Sequence, residues 1–218
     1  MGRNGSGKST LLKIVAGKVE PDSGDKFVQP GITIEYLPQE PDLSGFRDVY
    51  SYTVEKQNTA IAKHTASYLL QQFGIKEDRQ LDNLSGGETR KAALAKVLAP
   101  KPDILLLDEP TGGLDVTSAR MVRKLVRKLG DEGGTVIYST HNLAEAEQVC
   151  DRIVIIHNGT IRADGNPSEL IEGTNCENLE EAYVALSEDD ARTETTEDEG
   201  KFARAWRKLV TRKGGQNE

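Results

Sequence analysis

Two stretches of this chain carry residue types that can act on phosphate. The first, Gly2-Arg3-Asn4-Gly5-Ser6-Gly7-Lys8-Ser9-Thr10, fits the phosphate-cradling pattern G-x-x-x-x-G-K-[ST]. Gly5 and Gly7 let the backbone wrap around a triphosphate with its N–H groups pointing inward. Lys8 has the reach for the β- and γ-phosphates, and the Ser9 hydroxyl suits Mg²⁺. The second stretch is Ile104-Leu105-Leu106-Leu107-Asp108-Glu109. An apolar run without alternation reads as a strand buried on both faces of a parallel sheet. An Asp at the end of such a strand, beside a phosphate-cradling loop, can help to hold the Mg²⁺ that accompanies the phosphates. A carboxylate beside it can orient or deprotonate the attacking water. Taken alone, the second stretch fits a core strand with a solvated acidic turn equally well. The first stretch tips the reading toward a site that hydrolyses ATP.

These groups need elements to hold them. Residues 9–16 read as a helix with Leu11, Leu12, Ile14 and Val15 as its buried stripe and Gly17 as its stop. Its N-terminus faces the phosphates. A strand normally enters a loop of this kind. Only Met1 precedes Gly2. The chain therefore reads as truncated at its N-terminus, with weak nucleotide affinity and a low melting temperature expected. Residues 20–24 form a turn, and residues 32–36 alternate as a strand with one wet face. Gln39 follows between Pro38 and Pro41, as an ordinary loop amide or as a contact to Mg²⁺ and the attacking water.

Residues 45–100 are polar and helical in character. A helix over 66–73 carries Tyr68, Leu69, Leu70 and Phe73, closed by Gly74, with His64 on the surface. Leu84-Ser85-Gly86-Gly87-Glu88 precedes a helix over 89–98. This is a second anion-binding helix start, or a Ser cap with permissive glycines. Gly112-Gly113-Leu114-Asp115 turns into an amphipathic helix over 116–129, with Val122, Leu125, Val126 and Leu129 inward. A strand over 135–139 leads to His141, at the strand end where open α/β sheets bind ligands. Asn158-Gly159 joins a strand over 153–156 to another over 160–163, and His157 beside the turn reads as structural. Residues 179–186 read as a short helix. Residues 187–199 are acidic and expected to be disordered. Phe202, Trp206, Leu209 and Val210 share one face of a basic segment. That face suits a membrane surface, a partner or, preferred slightly, docking of the Trp on the body.

The length of 218 residues suits one medium domain or a domain with a small insert. A net charge of -7 argues against nucleic acid as the main partner. Cys150 and Cys176 fit no metal spacing and no disulfide framework, which favours a reducing cytoplasm. No apolar run reaches membrane-spanning length and no secretory signal precedes the first motif. Membrane spans, if the process needs them, come from another chain.

The phosphate loop, Gln39, the Leu84–Glu88 pentapeptide, Asp108-Glu109 and Ser139-Thr140-His141 follow the order and spacing of an ATP-binding cassette (ABC) nucleotide-binding domain. The resemblance covers about residues 2–167. It implies an α/β P-loop NTPase with a mainly parallel sheet flanked by helices, plus a helical subdomain near 45–100. The ATPase domain would span 1–173, with a C-terminal helix, acidic linker and basic segment over 174–218. By motif match, residues Gly2 to Thr10 would bind ATP, and Ser9, Gln39 and Asp108 would hold Mg²⁺. Glu109 would act on the lytic water, with Gln39 near it, and His141 would touch the γ-phosphate. Two such domains dock head to tail, so Ser85, Gly86, Gly87 and Glu88 would meet the partner's ATP. Asp115 would lie in the loop coupling the two sites.

The two halves resemble different branches. Residues 2–110 look like ABC-F proteins of the Uup type, which act on ribosomes. From Thr111 the chain resembles sodium- or drug-exporter ATPases of the NatA type. Gly112-Gly113-Leu114-Asp115 stands where ABC-F proteins have Asn-His-Leu-Asp, and Ser139-Thr140-His141-Asn142 where they have Ser-His-Asp-Arg. There is one cassette, and no long charged linker to a second. The preferred expectation is the ATP-hydrolysing subunit of an exporter, at the cytoplasmic face of a membrane, with a transmembrane permease and a second nucleotide-binding domain as partners. The alternatives are an ABC-F ATPase on the ribosome and an inactive or non-hydrolysing cassette.

Overall fold

The computed structural model describes residues 5–188, which divide between two units. Gly2, Arg3 and Asn4, and the expectations for 189–218 with Phe202, Trp206, Leu209 and Val210, lie outside the described residues. One unit is Ser9–Thr140; the other joins the described residues before Ser9 to those from His141 onward.

In the first unit, α1 (Lys8–Val15) buries Leu12 and Val15 and ends where Gly17 takes a φ of +70°. β1 (Ile34–Leu37) follows. Its expected wet face is half-covered, and burial holds the Glu35 carboxyl above the usual carboxylate range.

The helical stretch holds three α-helices. α2 (Val49–Val54) has a sequence, Val-Tyr-Ser-Tyr-Thr-Val, that favours a strand by propensity. The capping box between Asp48 and Ser51 starts it as a helix, and Val49 and Thr53 are fully buried in it. α3 (Ala60–Gln72) begins well before residue 66, because the Thr59 hydroxyl accepts from the Ala62 N–H at 3.1 Å. Its buried face is Ala62, Ala66, Leu69 and Leu70. Tyr68 lies off that face by helical geometry and is 52% exposed, against the expectation that it joins the stripe. α4 (Gly86–Leu98) starts at Gly86 rather than 89, since Ser85 and Glu88 cap each other.

β2 (Ile104–Asp108) is the middle strand of a parallel sheet ordered β1-β2-β3. Leu105, Leu106 and Leu107 are each 0% exposed, as an unbroken apolar run anticipates. α5 (Val116–Asp131) buries Val122 and Val126 and exposes Lys124, Arg127 and Lys128. β3 (Thr135–Ser139) closes the unit, with Asp108 paired opposite Ser139.

In the second unit, α6 (Leu143–Val149) was not anticipated; Asn142 caps it by accepting from the Glu145 N–H. β4 (Ile153–His157) and β5 (Thr160–Gly165) form the expected hairpin. Asn158 and Gly159 take φ of +49° and +76°, as a type I′ turn requires. α7 (Pro167–Thr174) was also unanticipated, although Asn166, Pro167 and Glu169 spell a capped helix start. α8 (Leu179–Glu188) starts where the sequence places it. The core of this unit is Ala146, Ile153, Ile155, Leu170 and Leu179. Among the described residues no helix is long and apolar enough to cross a membrane.

Candidate functional site

The end of β2 delivers two carboxylates with unlike surroundings. Asp108 is 1% exposed, and its Oδ1 accepts from the Ser139 hydroxyl at 2.7 Å. That bond follows from the register of β2 and β3. Asp108 Oδ2 is buried and has no hydrogen-bond partner. The Tyr36 hydroxyl is also buried without one. Tyr36 lies close enough to sense the carboxylate, although the two make no properly formed hydrogen bond. Burial first, and then the Asp108 charge, push its phenol up to about 12. A buried carboxylate oxygen left without a donor is costly in protein alone. It fits a hard divalent cation, which binds carboxylate oxygen. The residues at this strand end therefore suit Mg²⁺.

Glu109 is placed by its backbone. Its φ is +48°, a left-handed conformation rare outside glycine. Its N–H donates to the Ser139 carbonyl at 3.1 Å, and its own carbonyl accepts from the Gly112 N–H at 3.1 Å.

Gln39 is tied to this strand end by Arg90 of α4. Arg90 is 9% exposed. Its Nη1 donates to the Pro38 carbonyl at 3.1 Å and to the Asp108 carbonyl at 3.3 Å, and its Nη2 donates to the Gln39 carbonyl. Burial pulls the guanidinium pKa down, and Asp108, Glu109 and Glu40 oppose that pull. No motif or spacing points to Arg90. Nothing in one chain's residue order marks a helical arginine as buried against three carbonyls.

The Ser85–Glu88 turn forms a second cluster with the Asp115 loop. The Ser85 N–H and hydroxyl both donate to Glu88 Oε2 at 2.9 Å, and the Ser85 hydroxyl oxygen accepts from the Glu88 N–H at 3.3 Å. A methyl group on Gly87 would stand 3.2 Å from the Gly113 carbonyl oxygen, so the two backbones approach closely. Lys91 Nζ lies 3.1 Å from Asp115 Oδ2. The Ser118 hydroxyl and N–H, and then Lys91, hold the Asp115 carboxyl well below the usual range.

In the other unit, Gly5 and Gly7 take φ of +84° and +92°. No atom lies within 4 Å of a methyl group built on either, so backbone conformation rather than space calls for glycine. Lys8 is buried and its Nζ donates to the Ser6 hydroxyl at 3.3 Å. The loop runs straight into the N-terminus of α1, as anion binding by helix termini requires. Ser9 is half-buried and Thr10 exposed. His141 is exposed and follows the buried Thr140. The structure thus brings Gln39, Asp108 and Glu109 together, and separately Ser85, Gly86, Gly87 and Glu88 with Asp115. Gly5 to Lys8 and His141 belong to the other unit.

The family model described as ABC transporter matches residues 1–112. The ATP-binding protein Uup of Caulobacter vibrioides is 40% identical over 163 residues, covering 74% of this chain and 26% of that protein. The sulfate/thiosulfate import ATP-binding protein CysA of Mycobacterium tuberculosis is 35% identical, covering 79% of this chain and 54% of that protein. The ABC transporter ATP-binding protein NatA of Bacillus subtilis is 29% identical, covering 86% and 82%. This chain therefore spans about a quarter of the length of Uup and about half that of CysA. Among solved structures, an ATP-binding subunit of an ABC transporter superposes with a TM-score of 0.77 at 26% identity, covering 85% of each chain. Resemblance to both Uup and NatA is thus met by relatives of each kind. Matched by that family model over residues 1–112, by relatives at 35–40% identity and by the fold of an ABC ATP-binding subunit, the chain belongs to the ABC transporter family of ATP-binding cassettes, with the P-loop ATPase fold.

Proposed function

We propose that this chain is the ATP-hydrolysing subunit of an ABC exporter, working at the cytoplasmic face of a membrane with a permease and a second cassette. The observation that carries the reading is the buried, partnerless oxygen of Asp108 directly before Glu109. Gly2 to Thr10 hold the ATP phosphates, with Lys8 on the β- and γ-phosphates. Ser9, Gln39 and Asp108 are the residues that would hold Mg²⁺, which when bound neutralises charge on the phosphates. Glu109 orients the attacking water and accepts its proton. Gln39 helps to place that water, and His141 contacts the γ-phosphate. Ser85, Gly86, Gly87 and Glu88 close over the ATP held by the second cassette, and Asp115 links the two sites. Export rests on the resemblance to exporter ATPases from Thr111 onward, which includes the Leu-Glu-Glu-Ala-Tyr-Val-Ala-Leu segment over 179–186. The sulfate/thiosulfate import relative points the other way, so transport must be measured in both directions.

The test is Glu109→Gln, which keeps the shape and removes the base. Loss of a general base lowers turnover by ~10²- to 10⁴-fold. ATP binding is retained, and a dimer holding ATP persists longer. Turnover equal to that of the parent would remove Glu109 from the reaction.

A second reading is supported by the 40% identity with Uup over 163 residues, which cover 74% of this chain. In that reading the chain is an ABC-F type ATPase acting on the ribosome. Copurification from gently solubilised cells separates the two. A membrane subunit supports the exporter; ribosomal proteins without one support the alternative. A chain that binds ATP and never hydrolyses it is the inactive cassette.

A further inference from the structure

Glu109 sits in a strained backbone conformation, and strain of this kind persists only where neighbours hold it. The peptide unit between Asp108 and Glu109 is held at both ends. Its carbonyl accepts from Arg90 Nη1 at 3.3 Å, and its N–H donates to the Ser139 carbonyl at 3.1 Å. The same guanidinium donates to the Pro38 and Gln39 carbonyls. One buried side chain from the helix that begins at Gly86 therefore spans the Gln39 loop and the carboxylate pair. We propose that Arg90 is a positioning residue for hydrolysis: it fixes the Asp108–Glu109 peptide and the Gln39 loop in one arrangement, aiming Glu109 and Gln39 at the same water.

The chemistry explains why arginine stands here. Its planar fork presents donors in fixed, divergent directions, and it remains charged when buried. A lysine ammonium keeps the charge but lacks the fork, so it cannot reproduce the spread of contacts. Arg90 lies in the third position after Gly87, at the start of α4. A movement of the Ser85–Glu88 turn is thereby passed to the carboxylates through a single side chain. The Arg90 guanidinium is buried and directed at three backbone carbonyls of its own chain, so its loss should fall on turnover rather than on ATP binding. The proposal rests on the roles given to Glu109 and Gln39 under the proposed function.

The test uses the full chain with Arg90→Lys and Arg90→Gln. Four quantities are read: the thermal melt, Mg-ATP affinity, single-turnover hydrolysis, and hydrogen exchange at the Glu109 amide. Both variants are expected to melt cooperatively and to bind Mg-ATP within about three-fold of the parent. Hydrolysis should fall by ~10²-fold, the size of effect that a small misplacement of a reacting group can have. Exchange at Glu109 should quicken by about five-fold or more, as expected when a neighbouring hydrogen bond is lost. In a Glu109→Gln background, Arg90→Lys should add little further loss, because residues acting through one another are not additive.

Parental hydrolysis with unchanged exchange would overturn the proposal. So would full multiplication of the two losses, or failure of both variants to melt cooperatively, which would make Arg90 a folding residue. Glu109→Gln at parental turnover would instead remove the role of Glu109, and the exchange measurement would still decide whether Arg90 holds this peptide.

Discussion

The Ser139 hydroxyl donates to Asp108 Oδ1 at 2.7 Å, across strands whose register sets the two residues opposite each other. The second oxygen of Asp108 is buried without a hydrogen-bond partner. Ser139→Ala would orphan both oxygens. Leaving a buried acceptor unsatisfied costs ~1–3 kcal/mol, and urea unfolding should show a loss of that size. Removing an orienting partner of a metal-ligating carboxylate typically weakens metal affinity by ~10- to 100-fold. Titration of Mg²⁺ at fixed ATP should show such a shift. Unchanged unfolding and unchanged Mg²⁺ dependence would mean that water replaces the hydroxyl without loss.

Glu35 gives the fold a pH dependence of opposite sign to that of a salt-bridged acid. Burial raises its pKa, against the lowering pull of Lys56, Lys96 and Lys18. An unfolded Glu titrates near ~4.3. Between that value and the higher folded one, the folded state keeps a proton that the unfolded state releases. Stability therefore falls as pH rises through the window, and the penalty is complete above it. Glu35→Gln should raise the melting temperature at neutral pH. The gain should vanish in melts below about pH 4. A gain that is the same at both pH values would trace to packing instead.

The readable parts of this chain were those whose physics is local or strongly patterned. Ile104 to Leu107 announced a doubly buried strand, and Asn158-Gly159 announced its hairpin, because each depends on a few adjacent residues. α2 was hidden by residues with strand propensity, and only the Asp48–Ser51 cap argues for a helix. α7 carries an Asn-Pro start with Glu169 completing the capping box, a helix signal that is itself local. Tyr68 misled because its apolar bulk fits a helix face that the backbone turns outward. The carboxylates at 108 and 109 were legible as residue types. The partners that fix them, Ser139 across the sheet and Arg90 from a separate helix, depend on tertiary placement that no local spacing encodes.

Gly86 and Gly87 are adjacent in α4 and differ in surroundings. A methyl group on Gly86 meets nothing within 4 Å, whereas one on Gly87 stands 3.2 Å from the Gly113 carbonyl oxygen. Gly→Ala in a helix favours the folded state by up to about 1 kcal/mol. Gly86→Ala should therefore melt at or above the parental temperature. Gly87→Ala must push on a backbone carbonyl and should melt lower than Gly86→Ala. Equal melts would show that the Gly113 turn yields freely. If this turn also meets a partner's ATP, both variants lose turnover, so the activity of Gly86→Ala should fall while its stability does not.

A head-to-tail dimer would make the strongest demand on the Ser85–Glu88 turn. If each ATP lies between the Lys8 loop of one chain and the Ser85 turn of another, turnover per chain must rise with protein concentration. Lys8→Ala and Ser85→Arg chains should each be nearly inactive alone. In a mixed dimer both lesions fall in one site, and the other site receives an intact loop and an intact turn. Random pairing of equal amounts in a two-fold dimer should restore about a quarter of parental turnover if the sites act independently. Ser85→Arg also removes the cap of α4, at a cost of ~1 kcal/mol, so its melt must be recorded to separate loss of fold from loss of contact. Proven heterodimers that recover no turnover, although both chains fold, would mean that the Ser85 turn does not complete the site of a second chain.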